Sequence, residues 1–262
     1  MQNAHKGNFG RVYILAGSVG YTGAPVLSAR AAVRSGSGLV FLGVPKEIWQ
    51  IVAVKCDEAM PSPLPSSVDE LLGKIAQCDA VLVGPGLGRS PKTDDIILKV
   101  IKAAACPLIL DADGINAVAE HIDSLDGRRD RLTILTPHDG EYARLQGKNP
   151  RGANRIEETM ALAKKHGCVL VRKGHRSIIA YPDGEIFVNT TGNPGMAKGG
   201  SGDVLAGMIL SLIGQGIPPK RAVPAAVWLH GRAGDLCAAE KGEYGMTPTD
   251  MIERIPDAMR TV

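Results

Sequence analysis

A single acid closes the most glycine-dense stretch of the chain. Residues 189–207, NTTGNPGMAKGGSGDVLAG, bring Gly192, Gly195, Gly199, Gly200 and Gly202 ahead of Asp203. The stretch then passes into Val204, Leu205, Met208, Ile209 and Leu212, spaced as the buried face of a helix. A glycine loop entering a helix aims free N–H groups and the positive end of the dipole at one spot, which is an anion site. A carboxylate there suits the dipole and also stands as a base beside a bound phosphate. That pairing fits transfer of a phosphoryl group to a hydroxyl. The plain alternative for Asp203 is a helix cap in a tight turn, but a cap needs one flexible residue rather than five.

The elements that must position this stretch are short apolar runs alternating with helical patterns. Strands are predicted at 12–16, 39–44, 80–84, 107–111, 132–136 and 168–172, then at 177–181 and 185–189 around a Pro182-Asp183-Gly184 turn. Helices are predicted at 23–36, 91–105, 114–122, 138–146, 155–167, 203–215, 219–238 and 247–259. Residues 57–67, DEAMPSPLPSS, read as a loop in which three prolines break any regular element. Strands that are apolar throughout imply burial on both faces and a mostly parallel sheet flanked by helices. The expectation is a single α/β domain over 1–262, with a small β-hairpin and a helical C-terminal third.

In such a sheet ligands sit at the carboxyl ends of the strands, and five polar or glycine-rich clusters fall there. They are Gly17-Ser18 with Tyr21-Thr22-Gly23-Ala24, then Gly84-Pro85-Gly86-Leu87-Gly88, Asp111-Ala112-Asp113, Thr136-Pro137-His138-Asp139-Gly140-Glu141, and Lys173-Gly174. Each has a bland reading. Gly84–Gly88 is a structural turn or a ligand loop, and its spacing is not a dinucleotide fingerprint. Asp111 and Asp113 hold a metal or a ligand hydroxyl, or Asp113 caps the next helix. His138 starts a helix or touches substrate, and Glu141 three residues on complements the helix dipole. Lys173 pairs with a nucleotide phosphate or is a solvated surface charge. His166, His175 and His230 lack metal-ligand spacing, which argues against zinc.

Composition narrows the setting. With 262 residues, 44% apolar, and a net charge of +3, the chain is an ordinary globular one with no reason to bind nucleic acid or an anionic membrane. Cys56, Cys78, Cys106, Cys168 and Cys237 are scattered and odd in number, which favours reduced, mostly buried thiols in a cytoplasmic protein. No signal peptide or membrane-length apolar run is evident.

Together, HKGNFGRVYILAGSVGYTGAPVLSARAAVRSGSGLV (5–40), VGPGLG (83–88), DADGIN (111–116), LTPHDGE (135–141) and GNPGMAKGGSGDVLAG (192–207) resemble the NAD(P)H-hydrate dehydratase family of the ribokinase-like fold. The blocks run in family order over nearly the whole chain. The resemblance implies repair of hydrated NADH or NADPH, the S epimer, with ADP giving AMP and phosphate, ATP being the less expected donor. It implies Mg²⁺ without identifying its ligands, and a homo-oligomer, a tetramer by family habit. By position, Ala24, Gly86, Gly88, His138 and Asp203 would contact the hydrated dinucleotide. Lys173, Gly174, His175, Arg176, Ser177 and Gly202 would hold the nucleotide, and Gly200 and Gly202 would flank the base as amide donors. Lys198 and Ser201 stand where Thr is usual, Asp139 where Pro is usual, and Lys198 is expected to add a cation near the phosphates. Some relatives carry an epimerase domain upstream; this chain begins almost at the HKG block, so the other epimer would depend on another protein or spontaneous exchange. The rival reading is a ribokinase-like kinase acting on a vitamin-precursor or sugar hydroxyl, which would share the fold and Asp203. A nucleotide-binding regulator without turnover is a further alternative.

Overall fold

Apolar runs that do not alternate become the strands of one nine-stranded sheet in the computed structural model, which describes residues 3–147 and 154–261. The strands are β1 (Arg11–Leu15), β2 (Leu39–Val44), β3 (Met60–Pro63), β4 (Ala80–Val83), β5 (Leu108–Leu110), β6 (Thr133–Leu135), β7 (Val169–Arg172), β8 (Ile178–Ala180) and β9 (Ile186–Val188). Their order is β3-β2-β1-β4-β5-β6-β7-β8-β9, parallel through β7 and antiparallel for the last two pairings. The helices are α1 (Gly23–Arg34), α2 (Lys46–Ala53), α3 (Val68–Ile75), α4 (Pro91–Ala103), α5 (Asp113–Ala119), α6 (Asp139–Gln146), α7 (Arg155–His166), α8 (Ser201–Gly214), α9 (Pro219–Gly245) and α10 (Pro248–Met259).

Alternate strand residues feed two separate cores, as the pleat requires. Val12, Ile14, Val40, Leu42, Leu82 and Ile109 pack with α1, α8, α9 and α10. Tyr13, Leu15, Val81, Val83, Leu108 and Leu110 face the other way, toward α4 to α7. Helices therefore cover both faces, as expected. Where α1 crosses α8 the backbones nearly touch: a Cβ at Gly207 would sit 2.2 Å from the Ser28 carbonyl oxygen.

Four expectations need correction. Residues 60–63 are not loop but the edge strand β3, paired only with β2. An edge strand uses one row of its backbone groups, so its prolines lose no ladder bond that matters. Helices α2 and α3 are absent from the predicted elements; each has eight residues, with Ile48 and Val52 or Leu71 and Ile75 as the buried i, i+4 pair. Helix α8 begins two residues earlier than predicted, at Ser201, so Asp203 is the third residue of its first turn rather than the first. Helix α9 also runs past 238 to Gly245, across a break at Gly242, whose φ is +71°. Among the described residues no helix is long and apolar enough to cross a membrane.

Candidate active site

The parallel strands deliver all five clusters to one edge of the sheet, and hydrogen bonds tie neighbouring clusters together. Gly17 N–H donates to the Pro85 carbonyl at 2.8 Å, and the Ser18 hydroxyl donates to the Gly86 carbonyl at 2.8 Å. Gly86 needs to be glycine: its φ is +61°, and a Cβ there would lie 3.0 Å from both the Ala24 and Tyr21 Cβ atoms. Ala24, Gly86 and Gly88 thus form one wall. The cap reading of Asp113 does not hold. It caps no helix and instead accepts from Gly88 N–H at 2.8 Å, so it fixes that wall. The cap position of α5 is Ala112, with a positive φ of 48°.

At the ends of β5, β6 and β7 lies a buried charge cluster. Lys173 Nζ lies 2.7 Å from Asp111 Oδ1 and 3.9 Å from Glu141 Oε2. The Thr136 hydroxyl donates to the same Asp111 oxygen at 2.6 Å. Lys173 is therefore no solvated surface charge. Burial pulls its pKa down, but Asp111 and Glu141 more than offset this and hold it above the usual lysine value. Glu141 does more than complement a dipole. It accepts from the His138 N–H at 2.8 Å, completing a capping box, while burial raises its pKa. His138 is the cap of α6, its Nδ1 accepting from the Gly140 N–H at 2.9 Å, yet its side chain remains 56% exposed at the rim.

Helix α8 brings its first turn to this cluster. A Cβ on Gly202 would sit 3.3 Å from Lys173 Nζ and 3.9 Å from Asp111 Oδ2. Burial, and then the Asp111 charge, push the Asp203 pKa up to about 7, against the pull of Lys173. Gly200, at φ +104°, packs on Leu27 of α1, whereas nothing stands within 4 Å of a Cβ on Gly199. The Gly202 backbone and the Asp203 carboxylate therefore stand beside an ammonium and two further carboxylates, while the Ser201 N–H is spent on the Lys198 carbonyl at 3.2 Å. A base and a set of anion donors at one point are what phosphoryl transfer to a hydroxyl requires.

The remaining predicted residues lie along the same edge. Gly174, His175 and Arg176 form an exposed turn after β7, closed by the Ser177 hydroxyl on the Gly174 carbonyl at 3.2 Å. Arg155 braces this turn through the Lys173 and His175 carbonyls. Asp139 has a partner of its own, Arg172 Nε at 2.8 Å. The expectation for Lys198 does not hold. Its ammonium donates to the Glu243, Tyr244 and Met246 carbonyls at the end of α9, which removes it from the phosphate site. Beside the turn, Ile179, Phe187, Asn189, Thr190, Pro224 and Trp228 line an open apolar cleft of about 410 Å³ between the hairpin and α9. His166 lies elsewhere, beside Asp123 and Asp126, with Arg129 paired to Asp126 at 3.0 Å. All five cysteines are free, four of them buried.

Comparison with known proteins identifies a family. A family model described as NAD(P)H-hydrate dehydratase matches residues 12–257. A bifunctional NAD(P)H-hydrate repair enzyme of Moorella thermoacetica is 40% identical over 271 residues, covering 99% of this chain and 51% of that protein. The chain thus spans about half the length of that relative. An ADP-dependent (S)-NAD(P)H-hydrate dehydratase of Neisseria meningitidis is 36% identical over 245 residues, covering 92% of this chain and 81% of its own. The ADP/ATP-dependent NAD(P)H-hydrate dehydratase of Bacillus subtilis, co-crystallised with ATP/Mg²⁺, superposes with a TM-score of 0.85 at 30% identity, covering 100% of this chain and 92% of that one. On the ribokinase-like fold to which the sheet order and the α8 turn point, the chain belongs to the NAD(P)H-hydrate dehydratase family.

Proposed function

We propose that this chain dehydrates the S epimer of hydrated NADH or NADPH, with ADP as phosphoryl donor and AMP and phosphate as products. The observation that carries the reading is Asp203, held only partly ionised near neutrality in the first turn of α8, within the field of Lys173. A carboxylate so placed is easily made a base, and the ring hydroxyl of the hydrate is what it would deprotonate. The freed oxygen attacks the terminal phosphorus of ADP, and the bond to the bridging oxygen breaks, releasing AMP. The Gly200 and Gly202 amides stabilise the charge that develops on the phosphoryl oxygens, since the Ser201 N–H is already held by the Lys198 carbonyl. The ring nitrogen lone pair then expels phosphate, and loss of a proton from the adjacent ring carbon restores the dihydropyridine.

The wall of Ala24, Gly86 and Gly88, with His138 at the rim, holds the dinucleotide in this reading. The turn from Lys173 to Ser177 and Gly202 hold the nucleotide, and the apolar cleft beside Trp228 is large enough for its base. Asp111 Oδ2, which faces Gly202, and Glu141 are hard oxygen donors that fit Mg²⁺. The ion would neutralise diphosphate charge there. A cytoplasmic homo-oligomer without nucleic-acid or membrane partners completes the proposal.

The test is the return of dihydronicotinamide absorbance from hydrated NADH with Mg²⁺ and either ADP or ATP. Recovery is expected with ADP, and Asp203→Asn is expected to lower it by at least roughly 100-fold. Folded protein that restores no NADH with either nucleotide, yet phosphorylates a hydroxymethyl substrate, would establish the kinase instead.

A further inference from the structure

We infer that Asp235 and His230 of α9 are positioning residues that hold the glycine-rich stretch at its two ends, so that its amides are aimed before a ligand arrives. This rests on the proposed phosphoryl transfer at Asp203.

Between β9 and α8, residues 189–200 contain only one short helical turn, Pro194–Met196, and four glycines. A segment so poor in regular structure loses much entropy on ordering and needs outside ties. At the near end, Asp235 Oδ2 accepts from the Gly192 N–H at 3.0 Å and Oδ1 from Asn193 Nδ2 at 3.0 Å. Asn193 Oδ1 in turn accepts from the Gly195 N–H at 3.0 Å, so one carboxylate orients two successive turns. At the far end, buried His230 Nε2 lies 3.0 Å from the carbonyl of Ser201, the first residue of α8. A carbonyl only accepts, so Nε2 bears the proton. Burial lowers the pKa of this ring to about 4, and it stays neutral.

The helix is shaped for the task. The Thr191 hydroxyl donates to the Trp228 carbonyl at 2.9 Å. A Cβ on Gly231 would fall 2.2 Å from Thr191 Oγ1, and one on Gly234 would fall 2.4 Å from Met196 Sδ. Trp228, Gly231, Gly234 and Asp235 share one side of α9, and the stretch lies directly against it. A negative charge here gains nothing from a neighbouring phosphate. Its use is the second acceptor oxygen, which Asn in the same place lacks.

Asp235→Asn in the full chain tests the first tie, and His230→Leu against His230→Gln the second, since Gln keeps a donor. In the dehydratase assay, Asp235→Asn and His230→Leu are expected to lower kcat by roughly 10- to 100-fold. KM for ADP should change less than about threefold, and His230→Gln should stay within about threefold of the parent. Amide hydrogen exchange at 192–203 should accelerate in the two damaging variants while β1 and β4 stay protected, a readout that needs no activity. Asn193→Ala removes the first tie from the other side should Asp235→Asn not fold. Parent-like kcat together with parent-like exchange at 192–203 would overturn the inference. A parent enzyme that restores no NADH would overturn the proposed function, while the exchange comparison still decides the ties.

Discussion

Asp203 sits where its charge is unwelcome in the free protein, and stability must fall as it ionises. Its pKa rises from 3.8 to about 7 through burial and Asp111, so the folded state binds a proton that the unfolded chain has released. For such a group stability is full below about pH 4 and is lost as pH rises through about 7. When ionised, a carboxyl held that high opposes folding by on the order of 2 kcal/mol after allowance for relaxation. Asp203→Asn is therefore expected to raise Tm at pH 8 by roughly 4–8 °C and to change it little at pH 4, measured by thermal melts of the ligand-free protein. A variant no more stable than the parent at pH 8 would contradict this account of the site. Asp203 was legible in the sequence because glycine density has few other uses. Asp111 was legible only as one of two strand-end acids that could meet a metal or hydroxyl, and Glu141 only as a dipole partner, because neither position shows which acid faces an ammonium. The 62 residues separating Lys173 from Asp111 hide the pair that decides the matter.

At the scale of elements, glycines that look alike in the sequence have opposite meanings. Gly207 lies in α8 where α1 crosses it, and a Cβ would meet the Ser28 carbonyl oxygen at 2.2 Å and the Ala31 Cβ at 3.0 Å. Backbone cannot move aside as a side-chain tip can, so Gly207→Ala must push the two helices apart. A loss of about 2–3 kcal/mol is expected, together with lower kcat, because α1 and α8 carry Ala24 and Asp203 on their first turns. Gly73 in α3 faces open space, and Gly73→Ala is expected to stabilise by about 0.5–1 kcal/mol with unchanged activity. Denaturant melts of the pair check both signs at once. Strand periods and the hairpin were readable because a short, continuous β-branched run bounded by turn residues suits a buried strand and little else. Strand β3 was hidden by prolines that only an edge position tolerates, and that position is known only once the strand order is.

Across the whole molecule, the candidate site draws on segments from Gly17 to Asp203, reaching from both cores to a single edge of the sheet. No subset of elements contains both the Ala24–Gly86–Gly88 wall and the Lys173 charge cluster, so ligand binding and global folding must be linked. A nucleotide that binds only the assembled edge stabilises the whole chain by mass action. At a concentration of 100 Kd the gain is about 2.7 kcal/mol. For a chain of this size that is a rise in Tm of roughly 5–10 °C. ADP with Mg²⁺ is expected to produce it, with a logarithmic dependence on nucleotide concentration. Asp203→Asn should show at least as large a rise, since removing the carboxylate relieves repulsion of the phosphates while leaving the amides and Lys173 in place. Substitution of Lys173 by Met should abolish the rise, because the ammonium offsetting Asp111 and Glu141 is gone and the edge then repels an anion. A thermal-melt series over ADP concentration, run on all three proteins, distinguishes these outcomes. A parent Tm indifferent to ADP and Mg²⁺ would mean that the nucleotide does not bind this edge at all.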